Sequence, residues 1–504
     1  MRILWKTEGI FLMKYRSTRG TADQAINSAA AIIQGLAPDG GLYVPVTFPQ
    51  PTFSLDQLVG LSYQETAKLV LSWFFDDYSD EQLQDSVTAA YGSQFDDTKI
   101  VPVTAKTAGN YYMELFHGPT LAFKDLALQV LPQLMTRAVK LQGVDHNIVI
   151  LTATSGDTGT ASMRGFQDVD GTQVIVFYPH GGVSPVQLRQ MLTQQGRNLK
   201  VVAVEGNFDQ AQANVKKIFG DREFGQQLAQ AGHQFSSANS MNIGRLIPQI
   251  AYYFYTYAQM VVQQTIQLGD QLSFTVPTGN FGDILAGYYA KKLGLPIKKL
   301  ICASNQNNVL TDFFKTGKYD RNRPFFLTNS PSMDILVSSN LERLLFDAAH
   351  QDETVVQDLM QQLAQTGAYQ ISDDMRAQLS DFAAGFASEA DIQAEIKRVY
   401  ETDGYAIDPH TAVASAVAHR YQAEEDGTTP MVVLSTASPY KFPETVLKAI
   451  TEQPVEPGLK AVNQLNQLLQ DTLPAGVRDL FELKERAEVV VEPDEMKQYI
   501  QTHL

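Results

Sequence analysis

Asn147-Ile148-Val149-Ile150-Leu151-Thr152 is a short apolar run, and Ala153-Thr154-Ser155-Gly156-Asp157-Thr158-Gly159-Thr160-Ala161 follows it without a break. An apolar run of this length, bounded by turn residues, suits a strand buried on both faces of a sheet. The small, hydroxyl-rich residues behind it suit a loop that opens a helix near Gly159. Backbone N–H groups at such a helix start can hold a carboxylate or a phosphate. Ser155, Thr158 and Thr160 add hydroxyl donors.

The same rhythm of strand, loop and helix recurs along the chain. Further strands are expected at Tyr111–Phe116, Gln173–Tyr178, Leu199–Val204, Gln271–Val276, Lys299–Ala303 and Met431–Ser435. Helical patterns such as Ser184–Gln195, Asp209–Phe219 and Asp283–Leu293 lie between them. Alternation of this kind marks βαβ units and a mostly parallel sheet. The strands span more than 300 residues, too many for one sheet. The fold class expected is therefore α/β, with two αβ subdomains and a cleft between them.

Around this core the patterns change. Residues 13–100 read as a helical N-terminal domain, with helices at Asp23–Gln34, Tyr63–Phe75 and Asp80–Tyr91. Residues 305–400 read as a helical insertion between the core segments 101–304 and 401–441, and residues 442–504 as a helical C-terminal segment with a strand at Val489–Val491. Ile247–Val262, rich in Tyr and Phe, reads as a buried helix. Met13 heads a better-structured run than Met1 does, so residues 1–12 are expected to be an extension.

The chain has 504 residues, with 39 Lys and Arg against 55 Asp and Glu, a formal charge of -16. That balance argues against nucleic acid or an anionic membrane as the main partner. Its single cysteine, Cys302, sits in an apolar run and reads as a buried strand residue. One cysteine excludes an internal disulfide and suits a reducing cytoplasm. No apolar stretch approaches the length of a membrane span, and the histidines show no metal-ligand spacing. Neither a metal nor a membrane partner is expected.

Four further stretches could carry chemistry. In Phe116-His117-Gly118-Pro119-Thr120-Leu121-Ala122-Phe123-Lys124-Asp125, Lys124 follows a Pro-Thr turn and stands at a helix start. The macrodipole there, with apolar flanks, lowers a lysine's pKa and favours the neutral amine, which can form a Schiff base. In Thr278-Gly279-Asn280-Phe281-Gly282-Asp283, glycines allow close backbone approach before a helix, a phosphate cradle that is neither a Walker A loop nor a dinucleotide fingerprint. In Asn239-Ser240-Met241-Asn242-Ile243-Gly244-Arg245, the Arg245 fork suits phosphate. In Leu434-Ser435-Thr436-Ala437-Ser438-Pro439-Tyr440-Lys441-Phe442, a strand ends in hydroxyls at the sheet edge where ligands bind.

Taken in order, with Tyr15-Arg16-Ser17-Thr18-Arg19-Gly20 and Gly35-Leu36-Ala37-Pro38-Asp39-Gly40-Gly41-Leu42-Tyr43 at the front, these stretches resemble the threonine synthase family. Its members are pyridoxal-phosphate enzymes of the tryptophan-synthase-β-like type II fold. Length and insertion resemble its longer fungal and bacterial subgroup. The resemblance implies that Lys124 carries pyridoxal 5'-phosphate and is catalytic. It further implies that Gly279, Asn280, Phe281, Gly282 and Asp283 hold the cofactor phosphate, and that Thr436 meets the pyridine nitrogen. Ser155, Asp157 and Thr158 would receive the substrate's amino-acid end; Asn239, Ser240 and Arg245 would receive its phosphate. Where the family pattern has His and Ala after the Thr-Ala pair, this chain has Ser438 and Tyr440.

The implied activity is that of a carbon–oxygen lyase acting on phosphates: O-phospho-L-homoserine and water give L-threonine and phosphate, the last step of threonine biosynthesis. The residues leave open another type II lyase or dehydratase, a threonine-synthase-like phospholyase, or a non-catalytic ligand-binding relative. A cytoplasmic monomer is expected.

Overall fold

The computed structural model describes residues 12–106, 110–206, 208–425 and 428–504. The expected extension therefore lies, but for Leu12, outside the described residues. The strands in chain order are β1 (Lys14–Ser17), β2 (Ile26–Asn27), β3 (Tyr43–Pro45), β4 (Val103–Ala105), β5 (Asn110–Glu114), β6 (Asn147–Ala153), β7 (Thr172–Pro179) and β8 (Leu199–Val204). They continue with β9 (His233–Ser236), β10 (Leu272–Pro277), β11 (Ile297–Ser304), β12 (Lys318–Asp320), β13 (Ala368–Gln370), β14 (Phe382–Phe386), β15 (Met431–Ser435) and β16 (Val490–Val491).

Two sheets form the core. One has the order β14-β11-β10-β15-β5-β4, and the other β16-β8-β7-β6-β9. Pairing is parallel throughout, except that β4 runs antiparallel to β5. The unbroken apolar character of β6 and β10 has its reason here: Ile148–Ala153 and Leu272–Pro277 are buried at every position, as strands covered on both faces must be.

Alternate residues of each strand feed different cores. Ile148 and Ile150 of β6, Val174 and Val176 of β7, and Leu272, Phe274 and Val276 of β10 share one core with the aromatic helix Ile250–Val262. Val149 and Leu151 face instead the helices that contain Val215, Phe224 and Ile500. Ile301 and Val433 face Val413 and Val417 of the helix Pro409–Glu424. One apolar core thus lies between the two sheets, with a further core on the outer face of each. Among the described residues no helix is long and apolar enough to cross a membrane.

Several expectations need correction. The N-terminal region is helical but also holds the antiparallel sheet β2-β1-β3. Its first helix starts at Ser28 rather than Asp23, because the Asn27 side chain caps it by accepting from the Ala30 N–H at 2.9 Å. Residues 305–400 are not wholly helical: β12 pairs with β13, and β14 extends the six-stranded sheet beside β11. The run after Lys124 divides into two helices, Lys124–Leu128 and Leu131–Gln142, with Pro132 in the first turn of the second. The aromatic helix starts at Ile250 rather than Ile247, and Arg245 lies before it in a four-residue helix of its own, Ile243–Leu246.

Candidate active site

The C-terminal ends of five parallel strands converge. β5 leads to Lys124, β10 to Gly279 and β15 to Thr436 in the six-stranded sheet. In the other sheet, β6 leads to Ser155 and Asp157, and β9 to Asn239 and Arg245. Between them lies a cleft of about 990 Å³, its mouth included, lined by all the residues nominated above: Lys124, Ser155, Asp157, Thr158, Asn239, Ser240, Arg245, Gly279–Asp283 and Thr436.

The turn before Lys124 is pinned on both sides. Phe123 N–H donates to Thr436 O at 2.8 Å, Ser438 N–H donates to Leu121 O at 3.0 Å, and Leu121 holds a left-handed φ of 62°. Asp125 accepts from the Thr120 N–H at 2.8 Å and the Thr120 hydroxyl at 2.7 Å. Burial pushes the Asp125 carboxyl up to about 6. Lys124 itself is buried, with Nζ 3.2 Å from Asp157 Oδ2 and 3.3 Å from Ser332 Oγ. Burial, helped by the charges of Arg245 and Lys441, outweighs Asp157 and lowers the amine to about 8.

Asp157 is the most crowded group of the site. Oδ2 accepts from Ser332 Oγ at 2.8 Å; Oδ1 accepts from Gln187 Nε2 at 2.7 Å and lies 3.0 Å from Lys441 Nζ. Burial works to raise this carboxyl, but Lys124 and Lys441 outweigh it and hold it well below the usual carboxylate range. Beside it, Thr154 Oγ1 accepts from the N–H groups of Gly156 and Gly159, both at 2.9 Å. That leaves the N–H groups of Asp157 and Thr158 heading the helix Asp157–Gly165.

The cradle after β10 is fixed from the 338–340 segment. Ser338 Oγ donates to Gly279 O at 2.7 Å, and Asn340 Nδ2 donates to Asn280 O at 2.9 Å. A Cβ on Gly279 would stand 2.8 Å from Ser332 O, so only glycine lets the 331–335 segment pass this close. Phe281 takes a left-handed φ of 62° ahead of the helix Gly282–Lys292. Its ring lies in the core beside Phe314 and Phe382, so what it offers the cradle is backbone. Asp283 Oδ1 accepts from the hydroxyls of Tyr252 and Tyr253. Burial pushes its carboxyl up to about 7.

Arg245 is buried, which lowers it to about 10 and leaves it a cation at neutral pH. Its Nη1 donates to Ala238 O at 2.9 Å. Three buried atoms of this wall, Arg245 Nε, Asn239 Oδ1 and Asp283 Oδ2, have no partner among the described residues. Buried polar atoms without partners are costly, and these three belong to a cavity wall. A low-pKa lysine, a helix start at a glycine turn, a hydroxyl at Thr436 and an unpaired guanidinium N–H suit pyridoxal phosphate and a second anion.

Ser332, Gln187, Lys441 and His410 also line or brace the site, and the sequence reading did not nominate them. Ser332 stands in a segment without a motif. His410 heads a helix in Asp408-Pro409-His410; its Nε2 accepts from Ser332 N–H at 3.2 Å, so Nδ1 donates to Asp408 Oδ2 at 2.7 Å. Lys441 stands next to last in the Leu434–Phe442 run, and that place was its one signal. Cys302 is buried in β11 and pushed up to about 12 by burial, an inert strand residue. Among the described residues no cluster of His, Cys, Asp or Glu could hold a metal ion.

Three family models match the chain. They are described as "Threonine synthase N terminus" over residues 14–91, "Pyridoxal-phosphate dependent enzyme" over 97–437 and "Threonine synthase, C-terminal" over 411–500. Threonine synthase-like 1 of Homo sapiens is 43% identical over 83% of this chain; the aligned part is 57% of that protein, so the chain spans little more than half of it. Threonine synthase of Pseudomonas aeruginosa is 38% identical over 96% of each chain. The solved structure of pyridoxal-phosphate-bound threonine synthase from Brucella melitensis superposes with a TM-score of 0.85 at 40% identity, over 97% of this chain and 99% of that one.

Proposed function

The chain belongs to the threonine synthase family of pyridoxal-phosphate dependent enzymes, and from that premise we propose that it converts O-phospho-L-homoserine and water to L-threonine and phosphate. What supports the reading is that two separate anion-binding groups face one lysine across a single cleft: the cradle at Gly279–Asp283, and Asn239, Ser240 and Arg245. The reaction needs two such places, one for the cofactor's phosphate and one for the substrate's.

Each residue then has a task. The cofactor, when bound, supplies an electron sink for negative charge at the substrate's Cα. The cradle N–H groups would hold its phosphate, and Thr436 would offer a hydroxyl to the ring nitrogen, where a carboxylate would keep that nitrogen protonated and a hydroxyl would not. Ser155 and the N–H groups of Asp157 and Thr158 receive the substrate's carboxylate. Arg245, with Asn239 and Ser240, binds the phosphate that leaves from Cγ. Lys124, as a free amine beside the substrate, would take the proton from Cα. It would return a proton to Cα or Cγ as the product forms. A lysine lowered to about 8 is suited to both directions near neutral pH.

The test is to incubate the protein with O-phospho-L-homoserine and to assay threonine and phosphate together. Equimolar release is expected. Release of 2-oxobutyrate without threonine would replace this reading with that of a dehydratase or another lyase.

A further inference from the structure

The reaction above gives Lys441 no task, yet the chain buries it completely. A buried ammonium is costly unless it is paired and hydrogen-bonded. Its Nζ lies 3.0 Å from Asp157 Oδ1 and donates to Thr120 O at 2.7 Å. Lys124 Nζ meets the other oxygen of the same carboxylate at 3.2 Å. One carboxylate therefore stands between two ammonium groups, held in place by Gln187 on one oxygen and Ser332 on the other. A lysine with a carboxylate to itself would hold its proton firmly. Here the counter-ion is shared.

We propose that Lys441 is a positioning residue of the site: by holding Oδ1 of Asp157 it leaves Lys124 a shared counter-ion, so that Lys124 gives up its proton and presents a free amine to the cleft. The proposal rests on the reading of Lys124 as the cofactor lysine. The other titratable groups around the pair are Arg245, Asp283, Asp334 and His410, and Asp125 lies behind Thr120. Of these, Arg245 acts on Lys124 in the same sense as Lys441, and burial acts more strongly than either. Lys441 also ties the Ser438–Phe442 turn to the loop before Lys124. A structural role alone would end there and would leave the protonation of Lys124 untouched.

The two roles separate in the pH dependence of cofactor uptake by the full-length chain stripped of cofactor. In that step the neutral amine of Lys124 adds to the aldehyde carbon of pyridoxal phosphate; a carbon–nitrogen double bond replaces the carbon–oxygen one, and one water leaves. The rate, followed by visible absorbance, tracks the unprotonated fraction of Lys124. Lys441→Gln keeps a donor for Thr120 O and removes the charge. Its midpoint should rise by about one pH unit, which slows uptake at pH 7 about tenfold, and Lys441→Arg should restore it. A folded Lys441→Gln with the wild-type midpoint overturns the proposal, whatever its melting temperature. Should Lys441→Gln not fold, Asp157→Asn carries the test: without the shared counter-ion the midpoint must fall below wild type, and an equal or higher one overturns the proposal. Failure of the wild-type chain to take up pyridoxal phosphate at any pH would instead remove the proposed function.

Discussion

Arg245 carries the assignment of the substrate's phosphate, and its surroundings make that assignment testable. Ser240, its neighbour in the wall, has its Cβ 3.6 Å from where a Cβ on Gly282 would sit. The two anion sites are therefore adjacent, and Arg245 could in principle serve either. Arg245→Ala removes a charge-assisted hydrogen bond worth about 2–3 kcal/mol. The expected result is a KM for O-phospho-L-homoserine raised by about two orders of magnitude, with cofactor absorbance intact. Loss of cofactor with unchanged KM would move Arg245 to the cradle. Lys124→Ala should abolish both turnover and the visible band. A third residue controls stability rather than chemistry. Burial works against a charged His117, but Asp96 at 2.5 Å and Glu114 at 2.9 Å outweigh it and push the imidazole up to about 9. A pKa raised on folding stabilises most below the unfolded value, about 6.5, and that stability is lost as pH rises through 9. Melting temperatures should fall across that window by the equivalent of about 3 kcal/mol, and His117→Gln should flatten the fall.

At the scale of elements, the site depends on how closely the helix Asp157–Gly165 packs on the helix Lys124–Leu128. A Cβ on Gly165 would stand 1.9 Å from Leu128 O. Alanine at a helix position gains up to about 1 kcal/mol over glycine in propensity, but a clash with backbone cannot be relieved by rotating a side chain. Gly165→Ala should thus lower the melting temperature, and by shifting Asp157 away from Lys124 it should lower the pH midpoint of cofactor uptake. The same elements show what the sequence could and could not reveal. β6, β10 and β15 were legible because a strand buried on both faces must be apolar throughout. β9, His233-Gln-Phe-Ser, and β14, Phe-Ala-Ala-Gly-Phe, were not, since each is short and owes its conformation to the strand it pairs with. The loops at Ser155, Gly279 and Thr436 were legible because each follows such a strand. Ser332 and His410 were not, because nothing local separates a serine in a turn or a histidine at a helix start from its neighbours. Lys441 stood in a quoted run, but its partner Asp157 lies 284 positions away, and no pattern within the run points there.

At the scale of the whole molecule, the question is whether the two sheets are independent. A chain of this size commonly unfolds in more than one step, and a cleft between two sheets invites a hinge. The apolar core argues the other way. Residues from the facing sides of both sheets, Ile150 and Val176 on one and Phe274 and Leu434 on the other, belong to one continuous cluster with the aromatic helix between them. Ser332 and Lys124 add polar links to Asp157 across the mouth. A ligand gripped by both sheets adds stability to whatever unit contains both. At one hundred times its Kd, pyridoxal phosphate contributes about 2.7 kcal/mol. If the sheets unfold together, calorimetry of the chain with and without cofactor should show one main transition that moves down as a whole when the cofactor is stripped. If they were independent, stripping would split the transition, because the link between the halves would be the ligand itself. The shared core requires the first outcome.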